Sequence, residues 1–470
     1  MSHGLASNSA DIQADSATGR SVVHAQGRHN LVLGLGDTGL SCIRYLLAHG
    51  EHVTIADSRP APPQLAAVAA QWPALVCHCG AWSVSLLDKV SRVVLSPGVD
   101  RRDPLIVEAL RRGLPVVGDV ELFAMDVAAH QPQARLVGIT GTNGKSTVTA
   151  LIAAMAEESG IRVRAGANLG PPALDLLESP RPDWYALELS SYQLESTQSL
   201  RLDVAILLNV TPDHMDRYNS VADYAAAKAR IFTHAALAVV NADDPTVQSL
   251  LPAGIPVKQF SVQAQADYWV DSKADLMVLE QGVAKSIMPV AQLRLGGRHN
   301  AANALAALAT GDAMGLSRES MRAALDKFLG LPHRMQVVTC FDGVDYINDS
   351  KGTNVGATIA AIKGITHPVV LIAGGDAKGQ DFAPLAQAAL GRVRHTVLLG
   401  RDRDLLAQAL REVCSIQLVS DMAQAVAAAR AHAMPGDAVL LSPACASTDM
   451  YRNYAARGEA FVAAVRELSV

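Results

Sequence analysis

From residue 29 onward, short runs of Val, Leu and Ile punctuate longer Ala-rich stretches of mixed polarity. The runs "HNLVLGLG", "HVTIAD", "RVVLSPG", "RLVGITG", "WYALELS", "VAILLNV" and "LAVVNADD" show no polar face. A strand without a polar face is covered on both sides, and helix-length spacers between such strands predict parallel sheets packed between helices. The rhythm lapses over residues 256–295, where polar and apolar positions alternate and predict hairpin-like strands. It resumes with "VDYINDS", "PVVLIAGG", "HTVLLGR" and "DAVLLSPA". Polar seams at "AAHQPQA" and "LGLPHRMQ" divide the chain near residues 132 and 331. The expected organisation is therefore a small polar tail over residues 1–27, then three α/β units over 28–132, 133–331 and 332–470. No short internal repeat is present.

Composition narrows the function classes. At 470 residues the chain exceeds what one hydrophobic core usually serves, which agrees with several units. A net charge of −5 supplies no basic face for nucleic acid, so any anionic ligand must be held by local sites. No apolar run reaches the roughly 18 to 20 residues of a membrane span. Six cysteines without regular spacing, and an N-terminus without a secretory h-region, point to a reducing cytoplasm. Cys77, His78 and Cys79 look metal-like, but no second ligand pair follows at zinc spacing.

Two glycine turns carry the first chemistry. Residues 34–39, Gly-Leu-Gly-Asp-Thr-Gly, match G-x-G-x-x-G between a strand and a helix, and Asp57 ends the next strand where a ribose-binding carboxylate is expected. Residues 141–147, Gly-Thr-Asn-Gly-Lys-Ser-Thr, follow another strand and open another helix. There the backbone of Gly141, Thr142, Asn143 and Gly144 can curl around phosphate, Lys145 can neutralise β/γ charge, and the Ser146 hydroxyl can ligate Mg²⁺. A strict Walker loop would carry glycine at 139; the chain has Ile139 beside Gly138, a shorter variant. The first turn alone is compatible with NAD. A nicotinamide enzyme has no use for an ATP loop, however, so one nucleotide reads as fuel and the other as part of the substrate.

Glu188 in "ALELSSYQLE" and His214 in "LLNVTPDHMDRY" each lie just past the end of an apolar strand. In open α/β sheets ligands collect at that edge, so both side chains should converge on the nucleotide as Mg²⁺-binding or orienting groups. Taken singly, each is more simply a hydrogen-bonded surface residue. Lys228, in the helical stretch "ADYAAAKARIF", reads on sequence alone as solvent-facing.

The ordered set "GITGTNGKST", "ELSSYQLE", "NVTPDHMDRY", "AAKARIF", "GRHNAANALAA", "LPHRMQ", "NDSKGTNVGAT", "GGDAKGQDF" and "SPACAS" resembles the Mur ligases, from about residue 30 to the C-terminus. The resemblance implies an α/β fold of three domains: an N-terminal Rossmann-like domain for a UDP-substrate, a central P-loop ATPase-type domain, and a C-terminal Rossmann-like domain closing over both. It implies ATP-dependent addition of D-glutamate to UDP-N-acetylmuramoyl-L-alanine through an acyl phosphate, by a monomer. Another amino-acid substrate of the same family, or a nucleotide-sugar sensor without catalysis, is the rival reading.

By the same resemblance, Lys145 and Ser146 meet phosphate and Mg²⁺, Glu188 meets Mg²⁺, and Asn168 and His214 lie near substrate and metal. Asn300, Asn303, Arg334 and Asp349 surround ATP. Gly36, Thr38, Asp57, Ser58, Arg59, Ser96, Pro97 and Gly98 hold the UDP-substrate. Lys351, Thr353, Lys378, Ser447 and Tyr454 surround D-glutamate, with tyrosine at 454 where the family pattern has phenylalanine. Two Mg²⁺ ions are implied, and Lys228 takes the place of a lysine carbamylated by CO₂ beside the second.

Overall fold

The computed structural model describes residues 27–468; the expected tail, apart from Gly27, lies outside them. The strands build three sheets. In the first, β1 (His29–Leu33), β2 (His52–Asp57), β3 (Cys77–Cys79), β4 (Arg92–Leu95) and β5 (Val116–Gly118) are all parallel in the order β3-β2-β1-β4-β5. The order reverses beside β1, and the glycine turn 34–39 leaves from its end. Gly39 packs so tightly there that a Cβ would lie 2.0 Å from the Gly34 carbonyl oxygen.

The second sheet contains β6 (Arg135–Thr140), β7 (Val163–Ala167), β8 (Trp184–Glu188), β9 (Val204–Leu207), β10 (Ala238–Asn241), β11 (Val257–Ser261), β12 (Tyr268–Val270), β13 (Asp275–Glu280) and β14 (Val283–Pro289). Its order is β14-β13-β12-β11-β10-β9-β6-β8-β7, which places β6 between β8 and β9 and makes the end of β6 the switch point. The antiparallel pairing expected over 256–295 is found for β12, β13 and β14, whereas β11 pairs parallel with both β10 and β12 and so continues the parallel run. The return helix Pro245–Gln248 between β10 and β11 is short, so its crossover left little periodic signal.

The third sheet, β15 (Gln336–Phe341), β16 (Val344–Asn348), β17 (Val369–Gly374), β18 (Val393–Leu399), β19 (Ser415–Leu418) and β20 (Ala438–Leu441), runs β15-β16-β20-β17-β18-β19 with β15 alone antiparallel. Its faces bury two separate apolar clusters, around Leu371 and Leu440 on one side and Tyr346 and Phe461 on the other.

The first two units share a continuous core. Helix Asp119–His130 carries Phe123 and Val127 into a cluster that also holds Ile43 of the first unit and Tyr185 and Leu207 of the second. Phe123 meets Tyr185 edge to face at 5.0 Å. This shared core holds the ends of β1 and β6 at a fixed spacing. The opposite face of the central sheet is covered by Lys145–Glu158 and Arg298–Ala313.

Candidate functional site

At the end of β6 the chain turns at residues 141–144 into helix Lys145–Glu158. Gly144 sits at φ +86°, and a Cβ there would lie 2.5 Å from Asn303 Oδ1, so the turn requires glycine. The loop is fixed from the neighbouring strand end. The Thr142 N–H donates to the Asn209 carbonyl at 2.9 Å and the Asn143 N–H to Asn209 Oδ1 at 2.8 Å. Lys145 Nζ folds back onto the carbonyls of Gly141 (2.8 Å) and Thr142 (2.7 Å). Burial lowers the Lys145 ammonium to about 8.

Glu188 ends β8, in register with Ile139 of β6. Its Oε1 accepts from Asn168 Nδ2 at 2.5 Å, while Oε2 is buried without a hydrogen-bond partner. Burial pushes this carboxyl up, but Lys145 and then Lys351 pull it down further, so it lies below the usual range and is ionised. His214, at φ +59° in the loop after β9, is brought to about 4 by burial, against the opposing pull of Asp213. Its imidazole is neutral at neutral pH and keeps a lone pair to offer.

The third unit reaches directly into this site. Arg334 donates to Ser146 Oγ at 2.8 Å, and Asn354 Nδ2 donates to Asn143 Oδ1 and Asp213 Oδ2, each at 3.2 Å. Burial lowers Lys351 to about 8, and its Nζ sits 3.9 Å from the Tyr454 ring centre. Asp349 accepts from Ser442 Oγ at 2.7 Å, and burial raises it to about 6.

Between these groups lies a cavity of about 440 Å³. Thr142, Asn143, Gly144, Lys145 and Thr147 form its floor, with Glu188 and His214 beside them. Asn300 and Asn303 come from the facing helix, and Arg334, Asp349, Lys351 and Thr353 from the third unit. Ser146 sits at the loop's rear under Arg334, and Gly141 supports the turn.

A second cavity, of about 910 Å³, opens over the first sheet. It is lined by Gly36 and Thr38 of the glycine turn, by Asp57, Ser58 and Arg59 after β2, and by Ser96, Pro97 and Gly98 after β4. Asn168 and Tyr454 line both cavities, so the two meet there. The Asp57 carboxylate is already saturated: Oδ2 accepts from the Leu35 N–H (2.7 Å) and an Arg59 guanidinium N–H (2.6 Å), and Oδ1 from the Arg59 N–H and Nε (both 2.8 Å). Burial alone would raise it, but these bonds bring Asp57 to about 2. It thus fixes the turn and Arg59, whose side chain is half exposed.

Three residues depart from the sequence pattern. Lys228, solvent-facing by pattern, is 1% exposed; its Nζ donates to the Gly141 carbonyl at 2.9 Å and lies 4.3 Å from the Tyr224 ring centre. Burial and then Lys145 hold its ammonium well below the usual lysine range. Lys378 and Ser447 line neither cavity. In the other direction, Asn209, Asp213 and Asn354 clamp the phosphate loop though sequence reasoning passed over them. Their signal was present: Asn209 and Asp213 follow β9 at the same sheet edge where Glu188 ends β8, and Asn354 closes "NDSKGTN".

Among the described residues, no three His, Cys, Asp or Glu side chains form a ready metal cluster. The site nonetheless suits a divalent cation. The ionised Glu188 carries a buried unpartnered oxygen, the Ser146 hydroxyl already accepts a hydrogen bond from a cation, and His214 is neutral.

Comparison with known proteins matches residues 28–118 to the "Mur ligase MurD-like, N-terminal domain", 139–311 to the "Mur ligase middle domain", and 333–445 to the "Mur ligase, glutamate ligase domain". The chain is 48% identical over 443 residues to the UDP-N-acetylmuramoylalanine--D-glutamate ligase of Nitrosococcus oceani, covering 93% of this chain and 96% of that protein. It is 47% identical over 442 residues to the same-named protein of Methylobacillus flagellatus, covering 93% and 96%. Among solved structures it resembles UDP-N-acetylmuramate-alanine ligase from Thermotoga maritima, with TM-score 0.60 at 17% identity over 94% of this chain and all of that one. A pseudomurein peptide ligase type C from Methanothermus fervidus gives TM-score 0.59 at 16% identity, also over 94% of this chain and all of that one.

Proposed function

Because the chain belongs to the Mur ligase family, we propose that its two cavities serve one ligation: the addition of D-glutamate to UDP-N-acetylmuramoyl-L-alanine at the expense of ATP. The chain is an ATP-dependent carboxylate-amine ligase of peptidoglycan precursor synthesis. The observation that carries the reading is the junction of the cavities at Asn168 and Tyr454. A substrate anchored by its UDP in one cavity can present its far carboxylate to a triphosphate in the other only if the two communicate.

A carboxylate oxygen is a poor leaving group, so the L-alanine carboxylate first attacks the γ-phosphate of ATP, giving an acyl phosphate and ADP. The D-glutamate amine then attacks the acyl carbon and expels phosphate. Anions crowd together on this path, so fixed cations and dipoles supply most of the stabilisation. Lys145 and the Gly144 N–H hold phosphate at the start of helix Lys145–Glu158, while the Thr142 and Asn143 N–H groups stay on Asn209 and fix the loop. Arg334 brings a guanidinium to the same end of the loop from the third unit, and Asn300, Asn303 and Asp349 bound the nucleotide. Ser146, Glu188 and His214 would hold Mg²⁺, which neutralises phosphate charge when bound. Asn168 orients Glu188 through its 2.5 Å hydrogen bond.

Lys228 fits carbamylation. Its buried position favours the neutral amine, the form that reacts with CO₂ to give a carbamate and a proton. The resulting anion, close to Glu188 and the loop, would help hold a second Mg²⁺. On the amino-acid side, Lys351, Thr353 and Tyr454 offer cationic and hydroxyl donors for the carboxylates of D-glutamate, and Lys378 and Ser447 complete that pocket in another arrangement of the third unit. Thr38, Ser58, Arg59 and the loop 96–98 hold the UDP moiety. The division into domains at 132 and 331 falls between the last helix of one unit and the first strand of the next.

One chain lines both cavities, so a monomer suffices, and the ligation is read as cytoplasmic, the compartment that supplies ATP. Among the described residues no helix is long and apolar enough to cross a membrane. The test is the product: with D-glutamate, mass spectrometry should find one glutamyl residue joined to the UDP-substrate. Equal turnover with L-lysine, meso-diaminopimelate or D-Ala-D-Ala would assign the pocket to a different amino acid.

A further inference from the structure

Besides Tyr454 at the junction, the larger cavity has a single aromatic residue among its described lining, Trp82. Its placement follows from the register of the sheet edge. Strand β3 pairs with β2 so that Cys79 lies opposite Asp57, and the Gly80 N–H donates to the Asp57 carbonyl at 2.9 Å. Gly80, at φ +97°, then turns the chain across the sheet's end and delivers Trp82 to the cavity that Ser58 and Arg59 also line. Part of the indole packs on the apolar cluster that contains Leu31 and Leu87, and the rest faces the cavity. Its Nε1 is buried and makes no hydrogen bond, so no polar contact accounts for the ring's position.

The fold dictates which end of a nucleotide reaches this point. Phosphate belongs at the turn 34–39 and the start of helix Asp37–Ala48. On such a sheet the nucleoside extends from there across the end of β2, so the base lies toward β3. Asp57 is saturated by Leu35 and Arg59 and has no free acceptor for the base. We infer that Trp82 is the platform on which the uracil ring of the UDP-substrate stacks, a specificity-determining residue for the nucleotide half of that substrate. This rests on reading the larger cavity as the UDP cradle.

The test uses the full-length protein with two probes, UDP and ribose 5-diphosphate, which lacks the base. The chain has four tryptophans, at 72, 82, 184 and 269, of which Trp82 alone lines the cavity. UDP should quench the intrinsic fluorescence of the unaltered protein, and Trp82→Phe should abolish that quenching while retaining most of the affinity. Trp82→Leu, apolar but without a π-face, should weaken UDP about tenfold by calorimetry and leave ribose 5-diphosphate unchanged. Quenching that persists in Trp82→Phe, or unaltered UDP affinity in Trp82→Leu, overturns the assignment. Failure of the unaltered protein to bind UDP would instead overturn the reading of the cavity as a UDP cradle, and this inference with it.

Discussion

Lys145 and Lys351 both sit near 8 because burial disfavours their charged forms. ATP brings negative charge between them and favours protonation, so binding takes up protons above about pH 8. Affinity for ATP is therefore full below that pH and declines as it rises through the free-protein values. Calorimetry in buffers of different ionisation enthalpy checks this: heats that do not depend on the buffer at pH 8.5 would contradict it. Lys228 carries a different expectation. Lys228→Ala should lose nearly all turnover, short carboxylic acids should restore part of it, and ¹³CO₂ should give a carbamate resonance absent from the variant. Full activity in Lys228→Ala removes this side chain from the chemistry. Arg59→Ala should raise the KM for the UDP-substrate by about tenfold or more, the loss expected for hydrogen bonds to a charged group, with the KM for ATP nearly unchanged. A rise in the ATP value instead would mean the two cradles are assigned the wrong way round.

At the scale of elements, the turn joining β6 to helix Lys145–Glu158 concentrates the constraint. Gly144→Ala must adopt a left-handed conformation costing about 1–2 kcal/mol and must displace Asn303. Thermal unfolding should show lower stability together with weakened ATP binding; unchanged ATP affinity would mean that the turn does not shape the nucleotide site. The sequence made this element visible because apolar strand, glycines and Gly-Lys-Ser fall in succession. Glu188 and His214 were legible for a related reason, Glu188 ending an apolar strand and His214 lying in the loop after one. Other features left weaker signals. Helix Val221–Ala229 is Ala-rich on every side, so nothing in its pattern marks Lys228 as buried. Strand β11 carries Lys258 and Gln259 and so read as part of a hairpin, although it pairs parallel on both sides. That Asp57 spends its acceptors on Leu35 and Arg59 depends on a two-residue turn whose geometry no spacing reveals.

Across the whole molecule, the shared core beneath the first two units fixes the spacing of the two cradles, and the third unit docks through polar contacts at Arg334 and Asn354. Lys378 and Ser447 were named through the family resemblance alone; neither lines a cavity, though Lys378 lies near enough to His214 to disfavour its charged form. The junction at Asn168 and Tyr454 makes the cradles parts of one machine, and a single assay interrogates that claim. Phosphate release should be measured with ATP, UDP-N-acetylmuramoyl-L-alanine and D-glutamate supplied singly, in pairs and all together. Sustained release, with one ADP and one ligated product per phosphate, is expected only when all three are present. Continuous release from ATP alone, turnover without the UDP-substrate, or binding of all three with no turnover would contradict a joint ligation site.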